Sequence, residues 1–515
     1  MFFSLDSFAL IGIDAIKVSV EVHLSNGIPS FTIVGLPDKS VSESRERVRA
    51  AIINSGFSFP LKRIIVNLSP AGIRKEGAFY DLPIALSILA ISKQIHSKIF
   101  GISSFVGELS LDGRISPTRG VISMVEKAVE MGKTYFFVPQ QVAEQASLIE
   151  GIKIIPSTSL LEVIRVVSGE RNPDECVYKD TDKDTEKRLF SEDGYGVDFC
   201  DVKGQLRAKR ALEIAVSGMH NIMMVGPPGA GKSMLAQRVV TIMPPLSTEE
   251  QIEITKIYSL HKNYNGSLVG KRPFRSPHHT ITRVGLIGGG NNPKPGEISL
   301  SHRGVLFLDE FSQFPRNLIE DLRQPLEDRR VIITRNSLWC SFPCNFMLIV
   351  ATNPCYCGFL GDEYKRCICS YRDVKRFWKN FSGPILDRID MIIKVPRLKE
   401  NEFVNVEPGE KSIDIRKRVI ACTSVQERRF KDKNIKYNSE ADLETINLWI
   451  SESKKIKEVL PGISEKYNLT GRGMVSVLKV ARTIADLDGD ENIELHHLME
   501  ALHYRTEVDF EKWSR

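Results

Sequence analysis

The sequence predicts an α/β protein in which two α/β units precede a helical domain. Strand and helix patterns alternate in the N-terminal part of the chain, and again around three short apolar strands in its middle. From about residue 400 onward, apolar residues recur only at helical spacing. A chain of 515 residues is also too long for one hydrophobic core and predicts about three units of ~150 residues each.

Composition places the chain among globular proteins. Apolar residues make up 42% and charged residues 26% of the sequence, which excludes disordered and fibrous classes. The opening segment meets Asp6, Asp14 and Lys17 early and has no basic leader, so neither a signal peptide nor a membrane span is expected. We therefore expect a cytoplasmic protein with no membrane partner. The net charge of +6 permits nucleic-acid binding without requiring it.

Residues 1–168 are expected to form the first α/β unit. Alternating apolar residues over 13–34, interrupted by an Asn-Gly turn, predict a β-hairpin. A helical stripe that ends near Gly56 and a strand at 64–68 follow. The apolar run DLPIALSILAIS then predicts a further helix.

Composition also sets the remaining boundaries. Residues 169–198 are polar, charge-dense and without apolar period, which predicts a linker or exposed loop. Residues 199–400 contain the three apolar strands and are expected to form a parallel sheet flanked by helices. Residues 401–515 are expected to form the helical domain, with Val477 and Ile484 on its apolar stripe.

A glycine-rich loop follows the first of these strands and precedes a helix. It fits the pattern G-x4-G-K-S/T and consists of Gly226, Pro227, Pro228, Gly229, Ala230, Gly231, Lys232 and Ser233. In this motif the backbone N–H groups face phosphates, the lysine reaches the β and γ phosphates, and the hydroxyl ligates Mg²⁺. The alternative is a plain Gly-Pro turn, but the flanking strand and helix favour a nucleotide site. ATP and Mg²⁺ are therefore the predicted cofactors.

Two acids end the second apolar strand, GVLFLDE. We expect Asp309 to hold Mg²⁺ with Ser233, and Glu310 to orient the attacking water. Apolar strands that end in acidic residues are common in proteins, so this pattern alone does not identify a site. The prediction therefore depends on the glycine-rich loop earlier in the chain.

Three further polar residues are candidates for the same chemistry. Asn353 ends the third apolar strand, where its amide could hold water or the γ-phosphate. Arg388 and Arg472 lie near helix boundaries and could stabilise charge that develops on phosphate. For each arginine the alternative is a surface or structural ion pair.

Six of the nine cysteines fall between residues 340 and 369. Two C-x-C pairs are formed by Cys355, Cys357, Cys367 and Cys369. The stretch between the pairs contains glycines and is long enough to fold back, so four thiolates could converge on Zn²⁺. Buried, reduced cysteines are the alternative, and we expect Cys340 and Cys344 to be of that kind.

Basic residues are interleaved with glycines and prolines between the glycine-rich loop and the acidic strand. They are Lys271, Arg272, Arg275, His278, His279, Arg283, Lys294 and Arg303. Such an insert could contact phosphate backbones from the inner surface of a ring without reading bases. A solvated loop that contacts a neighbouring subunit or the nucleotide is an equal alternative. No carboxylate partner of the histidine pair is evident from the sequence, so no metal site is expected there.

Together these motifs resemble the magnesium-chelatase-like AAA+ family, in its YifB/ComM branch. The resemblance spans nearly the whole chain and rests on GPPGAGKSMLAQR, FRSPHHT, PKPGEISLSHRGVLFLDEF, LRQPLEDR, VATNPCYCG, SGPILDRID and VARTIADLDGDENI. It implies a P-loop AAA+ core and a C-terminal helical lid of the magnesium-chelatase type. By this resemblance Asn353 is the sensor-1 residue, Arg388 an arginine finger offered to a neighbouring subunit, and Arg472 the sensor-2 arginine.

The same resemblance implies a homo-hexameric ring that hydrolyses ATP. Members of this branch are thought to be helicases that promote branch migration during recombination of incoming DNA. The implied partner is single-stranded or branched DNA, bound without sequence preference. Two alternatives remain open: a chelatase-type motor that remodels a protein partner, and a scaffold whose assembly is gated by nucleotide.

The N-terminal unit resembles the Lon-protease-type domain through GAFYDLPIALSILA and FVGELSLDGRISPTRGVISMVEKAVEMG. Proteolytic members of that family use a serine just before the first of these helices and a lysine soon after the glycine-rich turn. Here the stretch from Gly77 to Asp81 contains no serine, and no lysine directly follows Gly120. A scaffold or DNA-directing role is therefore expected. Ser69 and Lys75 lie nearby and leave hydrolysis as a minor alternative.

Overall fold

The computed structural model describes residues 2–179, 195–261, 264, 268–290, 293–335, 338–379, 381, 383–397, 409–433, 435–467 and 469–506. Half of the predicted linker (180–194), the boundary predicted at residue 400 and Ser382 of the SGPILDRID motif lie outside the described residues. None of the described helices is long and apolar enough to cross a membrane.

The N-terminal part is an α/β unit with two main sheets. Its strands are β1 (Phe2–Ile11), β2 (Asp14–Ser25), β3 (Ser30–Val34), β4 (Arg63–Ser69), β5 (Ser103–Phe105), β6 (Glu108–Leu109), β7 (Ile115–Ser116), β8 (Tyr135–Pro139) and β9 (Lys153–Ser157). Its α-helices are α1 (Lys39–Asn54), α2 (Asp81–Ile91), α3 (Val121–Glu130), α4 (Ala143–Ala146) and α5 (Leu160–Val167). One sheet has the order β1-β2-β4-β3, and the other is the parallel sheet β5-β8-β9.

The hairpin predicted over residues 13–34 is wrong. Strand β2 pairs antiparallel with β1 and with β4, and β3 pairs with β4 in parallel. The alternating pattern does identify the buried face, since Val18, Val20 and Val22 are fully buried. The pattern could not identify the partner, because the strand that separates β2 from β3 comes later in the chain.

The middle of the chain forms a five-stranded parallel sheet with helices around it. Its strands and hairpins are β10 (Ile222–Val225), β11 (Phe274–Arg275), β12 (Gly288–Gly289), β13 (Lys294–Pro295), β14 (Val305–Leu308), β15 (Arg330–Arg335), β16 (Leu338–Pro343), β17 (Met347–Thr352) and β18 (Met391–Lys394). The α-helices are α6 (Leu206–Gly218), α7 (Lys232–Ile242), α8 (Thr248–Ser259), α9 (Arg283–Ile287), α10 (Glu297–Leu300), α11 (Arg316–Asp321), α12 (Arg323–Asp328), α13 (Tyr371–Lys379) and α14 (Gly383–Leu386).

The order of this sheet places the predicted motifs together. The strands run β11-β14-β17-β10-β18, all in parallel. Every residue of β10, β14 and β17 is buried, which explains why these strands are uninterrupted apolar runs. Because the strands are parallel, the residues that follow β10, β14 and β17 meet at one edge of the sheet. Those residues are the glycine-rich loop, the two acids and Asn353.

The C-terminal part is helical throughout its described residues. Its α-helices are α15 (Ser412–Arg429), α16 (Leu443–Glu452), α17 (Lys454–Tyr467), α18 (Gly471–Asp488) and α19 (Leu495–Thr506). Val419, Val477 and Ile484 share one buried cluster with Ile222 of β10. The helical part is therefore packed directly against the sheet.

Candidate functional site

The glycine-rich loop joins β10 to α7. Gly229 and Gly231 have φ angles of 78° and 87°, a left-handed conformation that glycine adopts without steric cost. Gly226 passes so close to β18 that an added Cβ would lie 2.1 Å from the carbonyl oxygen of Val395. The loop therefore requires glycine at these positions. It leads into the first turn of α7, whose N–H groups have no partner within the helix and favour an anion.

Lys232 is buried behind this loop. Its Nζ donates to the carbonyl oxygens of Gly226 at 2.6 Å and Pro227 at 2.9 Å, and to Oδ1 of Asn353 at 3.3 Å. Burial lowers the pKa of Lys232 to about 8, although the nearby Asp309 acts in the opposite direction. The ammonium group therefore lies among oxygens from the loop and the third strand. Phosphate oxygens would suit the same position chemically.

Ser233 and Asp309 form the donor pair expected for Mg²⁺. The hydroxyl of Ser233 donates to Oδ2 of Asp309 at 2.5 Å, although 76 residues separate them. A hydroxyl and a carboxylate are hard oxygen ligands of the kind that Mg²⁺ prefers. The residues present therefore fit the predicted cofactor.

Glu310 follows Asp309 in a left-handed backbone conformation, with φ of 48°. Its N–H donates to Oδ1 of Asp309 at 2.8 Å, and its own carboxylate is exposed. Oε2 of Glu310 lies 3.6 Å from Nδ1 of His279. Nothing in the sequence indicated that this carboxylate lies next to the histidine pair, because the two residues are brought together only by the fold.

The two predicted arginines, Arg388 and Arg472, lie together at the edge of the sheet opposite the glycine-rich loop. Nη2 of Arg388 and Nη2 of Arg472 lie 2.5 Å and 3.1 Å from the same oxygen, Oε1 of Glu327. Both guanidinium groups lower the pKa of the Glu327 carboxyl, with the hydrogen bond from Arg388 as the largest cause. Glu327 belongs to the LRQPLEDR motif, and nothing in the sequence indicated that it joins the two arginines.

The positions of Arg388 and Asn221 define that edge. Asn221 directly precedes β10 and donates through Nδ2 to the carbonyl oxygen of Arg388 at 3.0 Å. The glycine-rich loop follows the opposite end of β10, and four strand residues span about 13 Å. Arg472 is tied to the same edge, because Ser476 on its helix donates to Asp390 at 2.7 Å. Both arginines therefore lie away from the glycine-rich loop of the same chain.

The side chain of Arg388 is nine-tenths buried, yet its Nε has no hydrogen-bond partner in the described part of the chain. Arg388 borders a small polar cavity of about 170 Å³ that is also lined by Arg329, Lys479 and Asp390. Burial lowers the pKa of Lys479. Three basic residues and one carboxylate therefore line this recess, which lies at the edge opposite the glycine-rich loop.

The four cysteines of the C-x-C pairs converge as predicted. Their sulfur atoms lie within 4.8 Å of one another, and the pairs that Cys355, Cys357 and Cys367 form are 3.4 to 3.6 Å apart. Tetrahedral Zn²⁺ with Zn–S bonds of ~2.3 Å requires S–S separations of about 3.8 Å, so the residues present fit the ion. Burial raises the pKa of Cys355 to about 11. Against the effect of burial, the backbone N–H groups of Phe359 and Ile368 lower the pKa of Cys357 to about 6.

This cysteine cluster lies beside the glycine-rich loop. An added Cβ at Gly358 would lie 2.9 Å from Pro228, and the Arg397 guanidinium joins Asp362 of the cysteine segment to the Pro228 carbonyl. Cys340 and Cys344 lie elsewhere and are buried, in keeping with a packing role.

Three arginines of the basic insert are structural. Arg272 pairs with Glu250, Arg275 with Glu297 and Arg303 with Glu253, at 2.6 to 3.0 Å. Each of these guanidinium groups is paired within the fold with a carboxylate that the sequence did not place beside it. Arg283 and Lys294 remain exposed.

Sequence reasoning missed an exposed aromatic residue near the same region. Trp339 on the β15–β16 hairpin is 59% exposed, although large aromatic side chains are usually buried. A lone tryptophan in a strand pattern gives no indication of its exposure.

The N-terminal unit has no serine–lysine pair among its described contacts. Lys75 is fully buried and donates to the carbonyl oxygen of Pro70, and burial lowers its pKa. Asp81, at the start of α2, instead forms a bidentate pair with Arg47 of α1 at 2.7 and 3.2 Å. Burial raises the pKa of Asp81 to about 6, although Arg47 opposes it. Asp81 of the DLPIALSILA motif therefore joins helix α2 to helix α1.

Three family profiles match successive parts of the chain. The profile described as "Magnesium chelatase, subunit ChlI" matches residues 198–403, "Subunit ChlI of Mg-chelatase" matches 20–142, and "Magnesium chelatase, subunit ChlI C-terminal" matches 409–505.

Individual relatives agree with these matches over nearly the full length. The chain is 40% identical to the competence protein ComM of Haemophilus influenzae, covering 98% of this chain and 97% of that protein. It is 38% identical to the YifB protein of Escherichia coli, covering 96% of both chains. Over 143 residues, 26% of this chain and 26% of that protein, it is 27% identical to Lon protease 2 of Bacillus subtilis.

Proposed function

Because the chain belongs to the magnesium-chelatase-like AAA+ family, in its ComM/YifB branch, we propose that it is a ring-forming ATP-driven motor that acts on DNA. AAA+ ATPase chemistry follows from the family. The ring, the DNA substrate and the roles of individual residues form the proposal.

The contact between Ser233 and Asp309 is the observation that carries the proposal. It joins the loop after β10 to the acid after β14, and Lys232 joins the same loop to Asn353 after β17. Three separate strands thus deliver a cation, a Mg²⁺-type donor pair and a polar amide to one place. A protein that only needed a buried ion pair would not require all three groups at a glycine-rich loop.

Each residue at this edge then has a defined task. Lys232 and the loop N–H groups hold phosphate oxygens, while Ser233 and Asp309 would hold Mg²⁺, which would supply positive charge to stabilise the phosphates. Glu310 orients the attacking water, and Asn353 holds the water or the γ-phosphate in place.

The neighbouring subunit supplies the remaining charge. Arg388 and Arg472 lie away from their own glycine-rich loop but share the edge at which Glu327 is located. We infer that both arginines leave Glu327 and approach the nucleotide of the next subunit, where they stabilise charge on the transferred phosphoryl group. Such a composite site requires a ring, and the family resemblance favours six subunits.

DNA is the partner that we propose. The relative that is 40% identical is named as a competence protein. Exposed Trp339 offers a face on which bases can stack, and exposed Arg283 can contact phosphates; neither requires a particular base sequence. We propose branch migration in homologous recombination, with single-stranded or branched DNA as substrate.

The proposed architecture follows the predicted boundaries. Residues 1–168 form a Lon-protease-like domain without proteolytic activity, 169–198 a linker, 199–400 the ATPase core and 401–515 the helical lid. One Zn²⁺ is held by Cys355, Cys357, Cys367 and Cys369. The ion stabilises the conformation of the cysteine segment, which lies next to the glycine-rich loop.

A strand-displacement assay tests this function. Purified protein is mixed with forked duplexes and four-way junctions, with and without ATP, and Lys232→Ala and Glu310→Gln serve as controls. We expect separation of strands only with ATP and only by the unmodified protein. ATP hydrolysis without strand separation on any DNA would instead favour the motor that remodels a protein partner, whereas nucleotide binding without hydrolysis would favour the scaffold.

A further inference from the structure

We propose that the exposed face of helix α13, together with a tyrosine of the cysteine segment, binds single-stranded DNA by pairing with phosphates and stacking on bases. This α13 surface consists of Tyr356, Tyr371, Arg372, Lys375, Arg376 and Lys379. The inference rests on the function proposed above, in which DNA is the partner. It adds a contact site for the strand in a part of the chain to which no motif assigned a role.

Helix α13 is anchored to the core through one apolar face. Val374, Phe377 and Trp378 are buried and belong to the same hydrophobic cluster as Val350 of β17. The indole N–H of Trp378 donates to the carbonyl oxygen of Pro354 at 3.1 Å, which joins the helix to the start of the cysteine segment. The opposite face of α13 is therefore held in a fixed orientation toward solvent.

A continuous basic stripe covers that opposite face. Its members recur at positions i, i+3, i+4 and i+7, so they share one side of the helix, and all of them are exposed: Arg372, Lys375, Arg376 and Lys379. The stripe extends for about 10 Å along the helix axis. Like charges at this spacing repel one another, and within the described part of the chain no ion pair joins the stripe to a carboxylate. A polyanion bound along the stripe would relieve the repulsion.

Two of the nearby acids are engaged with the protein itself. The Asp373 carboxylate accepts hydrogen bonds from the N–H and the hydroxyl of Ser370 at 3.0 and 2.7 Å, at the start of α13. The side chain of Asp362 is only 1% exposed. The cysteine segment and α13 together contain six basic residues, against these two acids and Glu363. The stripe therefore presents an excess of positive charge to solvent.

Two exposed tyrosines lie next to the stripe. Tyr356 is 55% and Tyr371 is 53% exposed, although large aromatic side chains usually bury most of their area. Nζ of Lys375 lies 5.8 Å from the centroid of the Tyr371 ring, and the rings of Tyr356 and Phe377 meet edge to face at 5.2 Å. Each tyrosine thus contacts a residue of α13, so rings and cations belong to one surface.

This combination of groups favours a single strand over other partners. Bases of a single strand can stack on the two rings while its phosphates pair with the stripe, whereas bases inside a duplex are already stacked. Neither contact reads a base sequence. Interfaces between proteins are depleted in lysine, and their centres are depleted in charge, so the stripe is less suited to a second copy of the chain.

Binding of fluorescein-labelled oligo-dT to the full-length protein tests the phosphate contacts. Anisotropy is measured over a salt series with a non-hydrolysable ATP analogue present. Arg372→Glu combined with Arg376→Glu should weaken binding by about tenfold near physiological salt and lower the slope of log affinity against log salt by about 0.7 per lost contact. The matched control is Arg428→Glu combined with Lys457→Glu. It makes the same charge change at exposed residues of α15 and α17 and should bind like the unmodified protein.

Substitutions of Tyr371 test the stacking contact. Tyr371→Ala should weaken oligo-dT binding by about fivefold or more and should affect a blunt duplex less. Tyr371→Phe should restore the affinity, because the ring and not the hydroxyl stacks on the base. Photocrosslinking of an oligonucleotide that carries 5-bromodeoxyuridine should attach the strand to a peptide that contains Tyr371 or Tyr356.

The inference is overturned if the charge-reversal variant and Tyr371→Ala, with unchanged melting temperatures and unchanged assembly, bind oligo-dT as tightly as the unmodified protein. Loss of assembly in these variants would also overturn it, because the α13 surface would then be an interface between copies of the chain. Failure of the proposed function gives a different result. In that case the unmodified protein itself binds no DNA, and the role of the α13 surface falls with the proposed function.

Discussion

The Ser233 hydroxyl and the Asp309 carboxylate lie 2.5 Å apart. Ser233 follows strand β10 and Asp309 follows strand β14 of the same parallel sheet. Strands β10 and β14 are not adjacent, because β17 lies between them. The contact therefore spans the centre of the sheet, where the loop after one strand reaches the acid after another. Nucleotide chemistry at this edge accounts for the arrangement.

Loss of the ammonium group at Lys232 should prevent nucleotide binding, whereas loss of the Glu310 carboxylate should prevent only hydrolysis. Lys232→Ala removes a cation that contacts phosphates, and Glu310→Gln keeps the shape of a side chain that serves the water. Binding of a fluorescent ATP analogue and release of phosphate separate the two effects. Near-normal phosphate release by Glu310→Gln would remove that residue from the mechanism.

ATP affinity should fall at alkaline pH. Burial lowers the pKa of Lys232 from its ordinary value to about 8. Below this pH the ammonium group is present, and above it a proton must be taken up on binding, so affinity should decrease by up to about tenfold per pH unit. Dissociation constants measured between pH 7.5 and 9.5 test this. The matched variant Lys232→Arg should bind without that decrease, and a flat profile for the unmodified protein would contradict the expectation.

The protein should hold one Zn²⁺ per chain. Replacing Cys355 and Cys367 together by serine should remove the ion and lower the melting temperature, because a structural Zn²⁺ contributes directly to folding. Elemental analysis of protein prepared without chelators gives the stoichiometry. Cys176→Ser, outside the cluster, is the control and should keep the ion. Substoichiometric zinc in the unmodified protein would count against the site.

DNA binding should be independent of sequence, strengthened by ATP and steeply weakened by salt. Phosphate contacts release counterions, and the slope of log affinity against log salt is about −0.7 per contact on single strands. Trp339→Ala should reduce affinity for single strands by removing a stacking surface worth about 1–3 kcal/mol, with less effect on duplexes. Fluorescence anisotropy over a salt series measures both. Binding that does not respond to salt would favour a protein partner.

The local motifs of the site could be predicted from the sequence, because each motif lies within one short segment that directly follows a buried strand. The glycine-rich loop, Asp309, Glu310 and Asn353 all follow buried apolar strands, and parallel pairing brings them together. The convergence of the four cysteines was also predictable, since each C-x-C pair fixes two ligands.

Contacts between distant segments could not be predicted. Glu327 joins Arg388 to Arg472, and His279 meets Glu310, only because of tertiary packing. Likewise, the sequence could not distinguish Arg272, which is paired with Glu250 inside the fold, from an arginine exposed to DNA. A sequence shows how many basic side chains a segment has, but it does not show which carboxylates they pair with in the fold.

The central claim is that each ATP site is completed by the next subunit, and a subunit-mixing experiment tests it most directly. Arg388→Ala should bind ATP but lose hydrolysis by about 10³-fold, because an arginine supplied in trans stabilises the transferred phosphoryl group. Glu310→Gln should be inactive for a different reason, because it lacks the carboxylate that orients the attacking water. Mixing the two under conditions that exchange subunits should restore turnover, since some interfaces then pair an intact Glu310 with an intact Arg388.

A mixture of Lys232→Ala and Glu310→Gln is the control. Both changes affect the same side of the interface, so no subunit in it has a complete pocket and turnover should stay absent. Recovery of ATP hydrolysis in the first mixture alone is the result that this account predicts. Demonstrated subunit exchange with no activity above that of either variant would contradict it and would leave Arg388 as a structural partner of Glu327.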